Sequence, residues 1–109
     1  MKRFLAICLL GTAGVAHADV AVPEKAAVCA SCHGEHGAKP IAPNYPVLAG
    51  QYANYLEHAL KEYKSGVRKN PIMAAQTTAL SEADIKQLAR YFAAQQGPLY
   101  TPTVGTAAK

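Results

Sequence analysis

Cys29-Ala30-Ser31-Cys32-His33 has the form C-x-x-C-H, and the rest of the chain is best read outward from it. Cysteines three apart lie on one side of a single helical turn, so both sulfurs can reach the two vinyl groups of one porphyrin. The adjacent histidine then falls beneath the macrocycle, where a ring nitrogen can bind iron. This is the attachment spacing of a c-type haem. With 3 Cys and 4 His in 109 residues, shuffling yields the pattern in roughly 0.3% of chains.

Residues 1–18 read as a cleaved secretory signal. Lys2 and Arg3 form a positive start, Phe4 to Val15 is mostly apolar, and Ala16-His17-Ala18 is a small-residue cleavage site before Asp19. The apolar run is shorter than the roughly 20 residues of a spanning helix, and Cys8 lies too early for lipid attachment. Export to the periplasm and a mature chain 19–109 are the expectation. Cys8 would leave with the signal, so Cys29 and Cys32 remain, available to a haem or to a thiol–disulfide exchange site. The formal charge of +4 falls to +2 without Lys2 and Arg3, too mild to argue for nucleic acid.

The remaining chain is one small domain, expected over 19–98, with Leu99 to Lys109 a flexible tail rich in Thr, Gly and Ala. Three main helices are legible. The first runs from Pro23 into the cysteine motif and stops near His33, because Gly34 and Gly37 follow. Pro40, Pro43 and Pro46 make the next stretch a loop. The second spans about Gln51 to Ser65. Tyr52, Tyr55, Leu56, Ala59, Leu60 and Tyr63 form its apolar stripe, Glu57 and Lys61 an i,i+4 pair, and Gly66 its C-terminal cap. The third begins at Ser81, with Asp84 completing a capping box and Leu80 and Ile85 placed as a hydrophobic staple. Ile85, Leu88, Ala89 and Phe92 form its buried face, and Gly97-Pro98 stops it. No stretch alternates with period two for long enough to make a strand, so the fold class is all-α.

Composition points to a cofactor independently. Residues 19–109 contain eighteen alanines, but only seventeen Val, Leu, Ile, Met and Phe together. That is a thin core for a domain of this size, and a flat apolar group would supply the missing volume. Met73, the one methionine after the signal, lies between the second and third helices and is the candidate sixth ligand. His/Met ligation raises a haem potential and suits an electron carrier.

These features together resemble the class I cytochromes c, in particular the small bacterial branch around the two-haem cytochrome c-four type, of which the chain would be one half. The resemblance rests on C-A-S-C-H-G on the first helix and on Pro46-Val47-Leu48-Ala49-Gly50 as P-x-L-x-G. It extends to the tyrosine-bearing helix ending Lys64-Ser65-Gly66, the Arg68…Asn70…Met73 loop, and Leu88-Ala89-Arg90-Tyr91-Phe92 on the last helix. It implies one covalent haem c on Cys29 and Cys32, with His33 and Met73 as axial ligands. It also implies that the Pro46 carbonyl holds the second ring nitrogen of His33 and that Leu48 packs on the haem face. The implied function is single-electron transfer between larger respiratory redox proteins, without bond chemistry, by a monomer or weak dimer that does not span a membrane.

Three other readings stand beside it. The same fold could serve as a fixed haem subunit of a dehydrogenase or oxidase. Cys29 and Cys32 could belong to a thiol–disulfide oxidoreductase, although the expected βαβ pattern is missing. Cys29, Cys32, His33 and His36 could bind zinc, although adjacent Cys32 and His33 make poor co-ligands. His58 lies off the apolar stripe and reads as solvated. Lys39, Lys61, Lys64, Arg68 and Lys69 are candidates for a basic rim steering an acidic partner.

Overall fold

The computed structural model describes residues 20–103, which form helices and loops with no strand. Four α-helices run in the order α1 (Ala26–His33), α2 (Ala53–Ser65), α3 (Pro71–Thr77) and α4 (Glu82–Ala93), with a 3-10 turn at Glu35–Gly37 after α1. The candidate signal segment and residues 104–109 lie outside the described part. Among the described residues no helix is long and apolar enough to cross a membrane.

The last helix organises the core. Ser81 caps α4: its hydroxyl accepts from the Asp84 amide at 3.0 Å, and the Asp84 carboxylate accepts from the Ser81 amide at 2.8 Å. The capping box read from the sequence is therefore present, and Leu80 and Ile85 are both buried. Ile85, Leu88, Ala89, Tyr91 and Phe92 face inward from α4, joined by Ala26, Leu56 and Leu80 and flanked by Cys29, Leu48, Leu60 and Ala93. Truncating a side chain such as Phe92 here costs about 3–5 kcal/mol. The helix ends at Ala93, ahead of the Gly97-Pro98 stop, and other groups satisfy its last carbonyls. The Gly50 amide bonds Phe92 at 3.1 Å, and the Gln95 side chain bonds Tyr91 at 2.8 Å.

Helix α2 packs against α4 and α3. It begins at Ala53, two residues later than the periodicity predicts, since Tyr52 is already extended (φ −61°, ψ 132°). Leu56 and Ala59 are buried and Leu60 packs on the core, whereas Tyr55 is exposed. The Glu57–Lys61 pair closes at 2.7 Å, and Gly66 caps the helix in the left-handed conformation.

One element departs from the sequence expectation. The segment around Met73, read as loop, contains the short helix α3. Pro71 stands at its first position, where a missing N–H costs nothing, and the Asn70 side chain accepts from the amides of Ile72 and Met73. The proline that suggests a loop is here a helix start. At the C-terminus, where a tail is expected, Thr101 donates to the Gly50 carbonyl at 2.6 Å and the Tyr52 hydroxyl donates to Pro102.

The ends of α1 and α4 are joined by charge. Lys25 meets Asp84 at 2.5 Å. The Lys25 ammonium, with the Ser81 amide, holds the Asp84 carboxyl down to about 2 from its ordinary 3.8. A depressed carboxyl stabilises the fold above its unfolded-state value and loses that contribution as pH falls through its folded one. Thermal melts from pH 5 to 2 should therefore show wild type more stable than Asp84→Asn above pH 4, with the gap closing between about pH 4 and 2. A constant gap would show that the charge is immaterial.

Gly37 brings the turn after α1 against the core. Its φ is +69°, and an added Cβ would lie 2.8 Å from Phe92 Cδ1 and 2.9 Å from Leu48 Cβ. Left-handed strain and overpacking together put the cost of Gly37→Ala at about 2–4 kcal/mol. Urea unfolding should report that loss; a change under 1 kcal/mol would mean that the loop yields freely.

Candidate haem site

Helix α1 carries Cys29, Cys32 and His33 on its last turn. Gly34 ends the helix directly behind them, its amide bonded to Ala30 at 2.9 Å. Both cysteines are free and half-buried. Cys29 lies against the core with its thiol 3.6 Å from the Lys25 carbonyl, and burial pushes that thiol up. A thiol raised by burial, as at Cys29, is a weaker thiolate donor for disulfide exchange.

His33 is buried, and its Nδ1 lies 2.8 Å from the Pro46 carbonyl oxygen. A carbonyl only accepts, so Nδ1 carries the proton and Nε2 presents a lone pair. The Tyr45 ring stands edge-on to the imidazole, centroids 6.2 Å apart. The loop bearing Pro46 is itself pinned. Ile41 donates to the Cys32 carbonyl at 3.1 Å, and the amides of Leu48 and Ala49 share the Gly37 carbonyl at 2.8 and 3.0 Å. Prolines at 40, 43 and 46 keep this stretch from helix, which leaves its carbonyls open to a side chain. Leu48 is half-buried against the core near Phe92.

Met73 occupies the third position of α3 and is half-buried. The donor set offered along the chain is two thiols, an imidazole of fixed tautomer and a thioether, which fits haem c ligation. Large apolar side chains are exposed on the same segments: Val28 on α1, Ile41 after it, Val67 before α3, and Ile72 on α3. Val28 and Ile72 adjoin Cys29 and Met73 in sequence.

The remaining candidates are placed otherwise. His36 has a left-handed backbone (φ 56°), with Nδ1 3.1 Å from the Tyr91 hydroxyl and Nε2 3.5 Å from Glu35. Among the described residues no three His, Cys, Asp or Glu side chains converge as a metal set, so Cys29, Cys32, His33 and His36 do not form a zinc cage. His58 is exposed and pairs with Glu62 at 3.1 Å. Lys61 bridges Glu57 and Glu82, and Lys64 donates to the Leu80 carbonyl. Arg68 lies 4.9 Å over the Tyr63 ring and 3.4 Å from the Tyr55 hydroxyl. Lys39 and Lys69 are exposed. Sequence reasoning missed Tyr45, Thr77 and the His36–Tyr91 contact, none of which has a local signature. It also missed Asn70 as a helix cap, for which Asn-Pro was an available signal.

A cytochrome c family model matches residues 24–96. The chain is similar to a cytochrome c4 of Pseudomonas aeruginosa, 46% identical over 101 residues, covering 88% of this chain and 50% of that protein. It is similar to cytochrome c-553 of Helicobacter pylori, 39% identical over 87 residues, covering 78% and 91%. It is also similar to a thiosulfate dehydrogenase electron acceptor of Thiomonas intermedia, 36% identical over 94 residues, covering 84% and 43%. The chain spans about half the length of the cytochromes c4 it matches. With that match over an all-α fold that ends its first helix in C-x-x-C-H, the chain belongs to the cytochrome c family, as a class I cytochrome with one covalent haem c.

Proposed function

We propose that this haem-based electron carrier works in the periplasm, after export, as a monomer or weak dimer that shuttles single electrons between larger respiratory redox proteins and is not an enzyme. Cys29 and Cys32 would form the two thioether links, and His33 and Met73 would hold the iron. The reading is carried by the 2.8 Å contact between His33 Nδ1 and the Pro46 carbonyl. It leaves Nε2 as the one coordinating nitrogen and orients it. The bound haem iron supplies the one-electron chemistry by changing between its ferric and ferrous states.

The protein's part is to hold still. Pro46 fixes the imidazole and raises its basicity, while Tyr45 limits rotation of the ring. Two thioethers keep the cofactor in a compartment where a lost haem is not easily replaced. The partly buried Leu48 and Cys29 shield this side of the site from water. A ligand set and backbone that stay fixed in both oxidation states keep reorganisation small.

Intact-mass spectrometry of the exported protein should give residues 19–109 plus one haem that does not extract into acidic organic solvent. A bare-chain mass, or extractable haem, would sink the covalent reading.

The ferric protein should show the weak near-infrared sulfur-to-iron band, and Met73→Ala should abolish it and lower the reduction potential. Should the variant keep both, a different side chain holds the sixth position.

A further inference from the structure

Both polar groups of the Met73 backbone are held by side chains. Its amide donates to Asn70 Oδ1 at 3.0 Å, as does that of Ile72. Its carbonyl accepts from the Thr77 hydroxyl at 2.9 Å, which also reaches Ala74 O at 3.2 Å. Thr77 is wholly buried, one of the largest fully buried side chains together with Ile85 and Leu88. Valine has the same shape and no hydroxyl to desolvate, so packing alone does not account for threonine here. Beyond Thr77 the chain stays fixed: the Leu80 amide bonds Thr77 O at 3.1 Å, Leu80 is buried, and Lys64 bonds the Leu80 carbonyl. The far end of α3 is thus anchored in the core and its near end by the Asn70 cap.

We propose that Thr77 and Asn70 are positioning residues that clamp the backbone of Met73 from its two sides and so keep its thioether in place in the ferric state. The inference rests on Met73 as the sixth ligand. A thioether is a soft, uncharged donor that ferric iron holds weakly, so its retention depends on how far the segment carrying it can move. Seven residues of helix do not stiffen themselves. The clamp supplies that stiffness where an ordinary helix of this length would fray.

The test is imidazole titration of the ferric holoprotein, followed at the near-infrared band. In this exchange a nitrogen–iron bond forms as the sulfur–iron bond breaks, with no change in oxidation state. Thr77→Val should bind imidazole about fivefold more tightly than wild type, the size of one net hydrogen bond, and its potential should fall. Thr77→Ser, which keeps the hydroxyl, should stay within about twofold of wild type. Asn70→Ala alters an exposed side chain and leaves the core intact, so it should show the same rise from the other side even if Thr77→Val folds poorly. Wild-type imidazole affinity in folded Thr77→Val or in Asn70→Ala overturns the clamp, as does a Thr77→Ser protein that matches Thr77→Val. A lower urea midpoint in Thr77→Val with band and affinity unmoved would make Thr77 merely structural. If Met73→Ala keeps the band, the ligand reading falls and the clamp with it; if the band is lost there while the clamp variants match wild type, the clamp alone fails.

Discussion

The hydrogen bond from the His33 imidazole to the Pro46 carbonyl is the contact on which the rest of the arrangement depends. By itself it contributes about 1 kcal/mol net, no more than many others in the fold. Its importance is directional. It spans thirteen residues and joins the end of α1 to a loop that has no regular structure of its own. That loop is fastened in turn to the Gly37 carbonyl and, through the Gly50 amide, to the end of α4. The orientation of one ring nitrogen is thus referred through two backbone bonds to the turn after α1 and through one to the most deeply packed helix. A looser loop would carry the same residues and leave the imidazole free to turn.

The packing shows why such fastening is needed. Among the described residues ten hydrophobics are buried, and four of them are alanines. Ordering each residue costs about 1–2 kcal/mol in backbone entropy, and six larger side chains offset little of that. Haem c adds apolar area that the side chains lack. Its covalent links make the cofactor part of α1 rather than a ligand that must be captured. Small residues such as Ala26 and Ala89 in the core permit the close approach that a cofactor-centred fold requires. The short ion pair between Lys25 and Asp84 then joins the start of α1 to the start of α4.

The sequence made the strongly patterned parts legible and left the cooperative parts unread. Ser81 and Asp84 announce α4 because a capping box is a local code, and Gly66 ends α2 because a left-handed cap is one too. Cys29, Cys32 and His33 are legible because haem attachment fixes their spacing. The role of Pro46 came from family resemblance, since no periodicity announces a carbonyl that happens to meet an imidazole. Helix α3 is not legible because two turns give too little periodicity. Thr77 could not have been singled out. A threonine becomes informative only when burial shows that its hydroxyl is spent on Met73. The stop of α4 lies ahead of Gly97-Pro98, and Gly50 and Gln95, distant and near in sequence, satisfy its last carbonyls, a tertiary arrangement with no local code.

The surface cations divide by what holds them. Lys61 lies between Glu57 and Glu82 and contributes little field at a distance, because its charge is matched. Lys64 and Arg68 bond to neutral groups, a carbonyl and tyrosine side chains. Arg68 is also already ordered, stacked over Tyr63 and bonded to Tyr55. A partner that engages it need not freeze a free side chain, a saving of about 0.5–1.5 kcal/mol for each ordered group.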